Sequence, residues 1–480
     1  MATNIEKLII SHNKDAQNRK MVAFYDRKST MEKMGIARSE TAHSAFLANL
    51  LKSDNGLGLE ESAIMWLLHI LIEREDNATA YNSTSPIPTE VIKADVLSQT
   101  LKYDIEEITT EKVIDDVAHS YFADNNYNKK CDDRLDIYIK LKVNELSDIK
   151  YLESDIKYLE IVIENKVLQD ENGPKSKNGS GGYDSLFQTQ RYFAACSHKK
   201  PSDTAQLFVF LTPDEVEEET KAKDKHFIQI SYQDVLDTII IPQLDNNMLT
   251  SNERQELENY VDALNLPTLD IQAKKRIVMA MTEEARTDIQ TYLKKNKELI
   301  INVIKAKEKE ASNSSLTQEE KILVSFANKR KNLFAALGMD FDTIKPTYYF
   351  VFITDGDTYR IAHLCTADVA VNFAKLYYKH NPGLTIDQLN KKFAGVMPKT
   401  KIFSKINKQK KNTTTNLYDE IANGVYFRKN IWSGKNIWSG KNIWSGKNNG
   451  SVNYFENLLE MIDKTNNVSK KFKYEVIKKD

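Results

Sequence analysis

The chain has 480 residues, of which 67 are basic and 68 acidic, with 41% hydrophobic and 28% charged. At roughly 150 residues per domain, that length accommodates about three domains, and the composition is that of a globular chain rather than a disordered one. No run approaches the roughly 18 apolar residues of a membrane helix, and MATNIEKLIISHNKDAQNRK is not laid out as a secretory signal, so a cytoplasmic location without a membrane partner is expected. Cys131, Cys196 and Cys365 lie far apart without zinc-ligand spacing. The net charge of -1 means that any surface for a polyanion must come from local charge segregation.

In chain order, ETAHSAFLANLLKS from Glu40 places Phe46, Leu47, Leu50 and Leu51 at helical spacing, and a second apolar helix is predicted from Glu60 to Glu73. Ser83 to Asp133 is mixed, with Pro86 and Pro88 marking a loop and Thr109 to His119 reading as part helix. RLDIYIKL from Arg134 and YLEIVIENKV from Tyr158 read as neighbouring strands. A Gly/Ser/Lys-rich loop from Asp170 to Gly182 follows, then a helix around Ser185 to Cys196, a buried strand from Leu207, and a strand-helix pair, FIQISYQDVLDTII. This order predicts one mixed α/β domain ending near Pro242. Residues 251–337 read as helical. YYFVFIT and YRIAHL around Asp355-Gly356-Asp357 read as a hairpin, followed by a helix from Ala367 to His380.

Two tandem repeats interrupt the pattern. SDIKYLE occurs at 147–153 and 154–160, and IWSGKN three times between Ile431 and Asn448. Both are too short for a solenoid. Gene slippage is the simpler origin, with the first lengthening a turn and the second extending a Trp-bearing loop.

The chemistry concentrates in two strands and a helix. At period 2, Glu164 and Lys166 project from the same side of their strand, and Asp136 on the neighbouring strand supplies a second carboxylate. Two carboxylates with open coordination positions suit a hard divalent cation such as magnesium, which polarises phosphate and acidifies water. Lys166 can orient that water and stabilise developing negative charge. An acid-x-base tripeptide alone arises roughly nine or ten times by chance in such a chain; its position at the end of the most apolar strand makes it informative. The bland alternative is a pair of edge strands with solvated charges.

Four segments in order resemble a known pattern: Glu40-Thr41-Ala42-His43-Ser44, Arg134-Leu135-Asp136-Ile137, Ile163-Glu164-Asn165-Lys166 and Gln188-Thr189-Gln190-Arg191-Tyr192. They resemble the E-x-x-H-S, R-L-D-I, I-E-N-K and Q-x-x-R-Y motifs of a bacterial group in the PD-(D/E)XK nuclease superfamily, over about residues 36–242. The resemblance implies a restriction-endonuclease-like mixed sheet flanked by helices. It implies Asp136, Glu164 and the main-chain carbonyl of Asn165 as metal ligands, Lys166 as the catalytic lysine, and Glu40 as a further ligand or base. Gln188, Arg191 and Tyr192 would position substrate or the metal site. The chain departs from the pattern in having no Pro before Asp136 and in the extra SDIKYLE copy, which leads directly into IVIENK and so preserves the register at Glu164. His43 is expected to be a packed, hydrogen-bonded histidine rather than a ligand.

Lysines 408, 410 and 411 in KTKIFSKINKQKKN, and Lys470 and Lys471 in KKFKYEVIKK, lie among aromatics; they suit phosphate contact with base stacking, or simply form a solvated face. The loop at 170–182 either closes over substrate with Lys175 and Lys177 or is a solvated insert. The resulting expectation is a catalytic domain over 1–245, a helical connector over 246–340 and a C-terminal α+β domain over 341–480. The expected activity is that of a Mg2+-dependent endonuclease, with Mn2+ substituting. DNA is the expected substrate, in phage defence or restriction, with a homodimer or a defence-system protein as partner. The rival is a non-catalytic nucleic-acid-binding module on the same fold.

Overall fold

The computed structural model describes residues 3–478 apart from 54–56, 58–61, 76–77, 79–89, 119–120, 122–131, 145–155, 168–182, 199, 214–221, 246–248, 271–274, 346–347, 397–401, 406–417, 423 and 429–453. Both tandem repeats therefore fall mostly outside the described residues, as do the 170–182 loop and Lys408, Lys410 and Lys411. The chain divides into a central unit, Arg27–Ala285, and a terminal unit made of Met1–Asp26 with Arg286–Asp480. That division differs from the three segments read from sequence, because the first two helices belong with the C-terminal half.

Those helices are α1 (Asn4–Lys14) and α2 (Ala16–Asp26). In the central unit, α3 (Glu40–Leu50) starts at Ser39, whose hydroxyl accepts the Ala42 N–H at 3.1 Å, and it buries His43, Ser44, Leu47, Ala48 and Leu50. The apolar helix α4 (Ser62–Glu73) and α5 (Glu90–Leu97) follow. Five strands then form one sheet in sequence order: β1 (Tyr103–Val113), β2 (Arg134–Val143), β3 (Tyr158–Asn165), β4 (Thr204–Thr212) and β5 (Phe227–Ser231). β1, β2 and β3 pair antiparallel, while β3, β4 and β5 pair parallel. The parallel β3–β4 step needs a crossover, and α6 (Gln188–Cys196) supplies it.

β1 resolves the segment that reads from sequence as part helix. Residues 109–113 are strand, and helix is confined to the single turn Ile114–Val117. The β-branched Ile105, Ile108, Thr109, Thr110 and Val113 favour the pleat, and pairing along β2 outweighs the helix-compatible glutamates among them.

Strand alternation buries both faces. Ile137, Ile139 and Leu141, Leu159, Ile161 and Ile163, and Leu207, Val209 and Leu211 share one core with α3 and α4. Tyr138, Val162, Phe208 and Phe210 point the other way, against Tyr192, Ala195 and Cys196 of α6. A sheet covered on both sides accounts for the nearly continuous apolar runs of β3 and β4. After β5, Ser231 and Asp234 form a reciprocal cap, and the chain stays helical through Tyr232–Val235, a π-helical stretch Leu236–Ile240, and Ile241–Leu244. α7 (Ser251–Asn265) and the short hairpin β6 (Thr268–Asp270) and β7 (Lys275–Ile277) complete the unit; the hairpin follows Pro267, which breaks the helical pattern of this region.

The terminal unit is α+β, as expected for the C-terminal part. α8 (Glu283–Lys295), α9 (Lys297–Ala311), α10 (Gln318–Asn328) and α11 (Lys331–Ala336) gather with α1 and α2. Buried polar pairs join them: His12 Nε2 to the Tyr292 hydroxyl at 2.8 Å, and the amides of Asn18 and Asn296, which donate to each other at 3.1 and 3.0 Å. Gly338, at φ +82°, follows α11 where a Cβ would lie 2.8 Å from the Ile361 carbonyl oxygen, so only glycine fits. The expected hairpin is β8 (Tyr349–Asp355) and β9 (Thr358–Leu364), followed by α12 (Thr366–His380). The remaining elements are α13 (Ile386–Lys392), the small sheet of β10 (Phe403–Ser404), β11 (Tyr418–Ala422) and β12 (Val425–Arg428), then α14 (Tyr454–Val468) and β13 (Phe472–Ile477), which pairs with β8.

Candidate active site at the ends of β2 and β3

Cross-strand register places the acids. Ile137 pairs with Ile163, so Asp136 and Glu164 fall opposite each other at the next position of the ladder, on the α6 side of the sheet. Glu164 is fully buried. Its Oε1 lies 2.5 Å from Lys166 Nζ, and its Oε2 has no hydrogen-bond partner among the described residues. Asp136 Oδ2 accepts the Asn165 N–H at 2.7 Å. Lys166, 4% exposed, extends the β3–β4 ladder through its own N–H, which donates to the Leu211 carbonyl at 2.8 Å.

Glu40 enters from the first turn of α3, where the helix dipole favours a carboxylate. Its Oε2 lies 3.4 Å from Lys166 Nζ and its Oε1 accepts the Val167 N–H at 3.3 Å. The Asn165 side chain faces the opposite side of the sheet and ties three elements together. Its amide donates to Ser44 Oγ at 3.0 Å and to the Glu40 carbonyl at 3.3 Å, and its Oδ1 accepts the Tyr232 hydroxyl at 2.8 Å.

The charges interact strongly. Burial pushes the Asp136 carboxyl up to about 6, with Glu40 and Glu111 adding to the shift and Lys166 and the Asn165 N–H opposing it. Burial, then the Asp136 charge, hold Glu164 well above the carboxylate range. Burial alone would lower Lys166, but the carboxylates of Glu164, Glu40 and Asp136 outweigh it and keep the ammonium above its ordinary range. Those neighbouring carboxylates favour the charged, proton-bearing form of Lys166.

The α6 residues brace this arrangement. Gln188 Nε2 donates to the Tyr192 hydroxyl at 2.8 Å, which donates to the Arg134 carbonyl at 2.5 Å, two residues before Asp136. Arg191, 2% exposed, is buried in an ion pair rather than open to substrate: its Nε donates to Asp133 Oδ2 at 2.9 Å, an oxygen that also accepts the Tyr183 hydroxyl at 2.9 Å. His43 is a packed histidine. Its Nε2 donates to the Ala37 carbonyl at 3.2 Å, leaving Nδ1 to accept from the Tyr260 hydroxyl at 3.1 Å, and burial lowers its pKa to about 4. Lys470 and Lys471 are exposed between α14 and β13 in the terminal unit.

Several residues escaped the sequence reading. The side-chain role of Asn165 has no periodic signature, and Ser44, Tyr232 and Asp133 become partners only through the fold. Glu111 lies in a segment that reads from sequence only as mixed and part helix. It lies between Thr110 and Lys112, which pair with Ile137 and Leu135, and so stands across from Asp136.

A divalent cation fits the donor set. Among the described residues no three His, Cys, Asp or Glu side chains group closely enough to hold an ion by themselves. Two carboxylates and a main-chain carbonyl, completed by water and phosphate, are nevertheless what magnesium commonly uses. The partnerless Oε2 of a fully buried Glu164 is a group that such an ion would satisfy. Among the described residues no helix is long and apolar enough to cross a membrane.

Comparison with known proteins agrees with this geometry. The family model described as PD-(D/E)XK nuclease superfamily matches residues 30–328. No curated protein and no solved structure matches the chain.

Proposed function

The chain belongs to the PD-(D/E)XK nuclease superfamily, and from that premise we propose that its central unit is a DNA endonuclease using Mg2+, with Mn2+ able to replace it. The observation that carries this reading is the buried Glu164–Lys166 pair beside Asp136, with Glu164 Oε2 left without a hydrogen-bond partner among the described residues. In a module that only bound nucleic acid, a carboxyl buried in this way would be a cost with no return.

Asp136, Glu164 and the Asn165 carbonyl would hold the cation. When bound, such an ion polarises the scissile phosphate and lowers the pKa of a water. Lys166, fixed between Glu164 and Glu40, presents its ammonium to the water and to the phosphate oxygens that gain negative charge. Glu40, whose side chain is 32% exposed, is the carboxylate open to accept a proton. The water oxygen bonds to phosphorus and its proton passes to Glu40, while the phosphorus bond to the leaving oxygen breaks, its electron pair departs with that oxygen, and the oxygen takes up a proton from solvent water. Gln188 and Tyr192 position Asp136 by holding the Arg134 carbonyl, and Arg191 does so through Asp133. The exposed Lys470 and Lys471, with Lys408, Lys410 and Lys411, are proposed to grip the DNA backbone. Cutting both strands favours a homodimer with two such sites. The role in phage defence rests on the resemblance of the motifs to the bacterial group.

Incubation of supercoiled plasmid, linear duplex, single-stranded DNA and RNA with Mg2+ or Mn2+ tests this reading. The expected result is metal-dependent cleavage of duplex DNA, abolished by Asp136→Ala and by Lys166→Ala while the fold is retained. Binding of nucleic acid without cleavage, unaffected by either change, would favour the non-catalytic module.

A further inference from the structure

Glu111 adopts φ +54°, the left-handed region that a long side chain rarely occupies. The other non-glycine residues with positive φ among those described, Gln99 and Asn313, sit in turns after helices, whereas Glu111 lies inside β1. The distortion falls at one ladder position. Thr110 and Lys112 keep their partners Ile137 and Leu135, while Glu111, between them, forms no bridge with Asp136 opposite.

The strain is not balanced by burial or by a tight ion pair. The Glu111 side chain is 35% exposed, and Arg134 Nη1, itself on a 57% exposed side chain, lies 3.9 Å from its Oε2. The Glu111 charge does act on Asp136, where it opposes ionisation together with Glu40. A strained acid placed across from another acid and opposing its ionisation would be selected against in a purely structural sheet, and strained backbone of this kind concentrates at functional sites.

The buried Oε2 of Glu164, without a hydrogen-bond partner among the described residues, is an independent sign that a cation belongs beside Asp136. A cation there turns the approach of Glu111 from repulsive to attractive. Direct ligation does not fit, because no three of the described acids group closely enough to hold an ion. Magnesium and manganese retain several waters, whose protons need acceptors beyond the inner ligands. An exposed carboxylate one strand away from Asp136 can supply that acceptor.

We propose that Glu111 is a positioning residue of the metal site, held in its left-handed conformation to accept hydrogen bonds from water bound to the cation at Asp136 and Glu164. This rests on the metal-dependent reading above and deepens it. Glu111 would raise cation affinity without touching the ion.

The test is isothermal titration calorimetry of Mn2+ into the full chain, with thermal unfolding of each metal-free protein alongside. Glu111→Gln keeps the length and the strained backbone but removes the charge, and is expected to weaken Mn2+ binding about tenfold. Glu111→Asp keeps a carboxylate in a residue that tolerates positive φ better, and should bind within about threefold of wild type. Glu111→Gly should melt at or above the wild-type temperature, through relief of strain, yet bind Mn2+ as weakly as Glu111→Gln. Wild-type affinity in both Glu111→Gln and Glu111→Gly, with binding lost in Glu164→Gln, would overturn the proposal and leave the metal site standing. Failure of the wild-type chain to bind Mn2+ would overturn the metal-dependent reading itself, and this proposal with it.

Discussion

Replacing Asp136 with asparagine should stabilise the metal-free protein at alkaline pH. The carboxyl titrates at about 6 in the fold against an ordinary value of 3.8, chiefly because it is buried. Between those values the native state binds more protons than the unfolded state, so stability falls as pH rises from about 4 through about 6 and then levels off. Integrated over that interval, the charged carboxylate lowers stability by about 3 kcal/mol at pH 8. Asp136→Asn removes the charge, and its side-chain oxygen can still accept the Asn165 N–H. At about 2–4 °C per kcal/mol for a unit of this size, the variant should melt roughly 6–12 °C above wild type in EDTA at pH 8. It should match wild type near pH 4, where Asp136 is already protonated. Added Mn2+ should raise the wild-type melting temperature and leave the variant nearly unchanged. Scanning calorimetry across pH, with and without metal, measures all three effects. A variant that melts below wild type at pH 8 would refute the reasoning, because the charge would then be a net stabiliser of the metal-free site.

Asn165→Ala removes the donors to Ser44 and Glu40 and the acceptor of Tyr232, leaving buried polar groups without partners; it should cost about 2–4 kcal/mol by urea denaturation, and Tyr232→Phe about 1 kcal/mol. His43 should show no imidazole titration by NMR between pH 5 and 8, because burial lowers its pKa to about 4. Since its folded pKa lies below the unfolded value of 6.5, the His43 contribution to stability is complete above about 6.5 and is lost as pH falls toward 4, and His43→Gln should flatten that part of the stability profile. Asn18→Ala breaks the paired amides with Asn296, and should destabilise the terminal unit by about 2 kcal/mol without shifting Mn2+ affinity in the central unit.

The amide pair of Asn18 and Asn296 also marks what local reading could not reach. Nothing in the spacing of α1 and α2 says that they join helices some 280 residues later; that depends on a buried amide finding its complement across the intervening unit. Glu111 is similar. In sequence it belongs to a mixed segment of acids and threonines, and it acquires meaning only when β1 pairs with β2 and places it opposite Asp136. Arg191 belongs to a recognisable motif, yet its placement beside Asp133 rather than on an open surface is a property of packing.

The sequence by itself determined the alternation of β2 and β3, the crossover helix after them, and the candidate acids and lysine at their ends. Period 2 puts Glu164 and Lys166 on one side of a strand wherever that strand lies, and the apolar runs require a sheet covered on both faces. Only the tertiary structure decided which carboxylates meet. Register brings Asp136 beside Glu164, the N-terminus of α3 carries Glu40 to Lys166, and the buried surroundings raise the acids while keeping the lysine charged. Those properties depend on distance and dielectric between residues far apart in the chain, which no local pattern encodes.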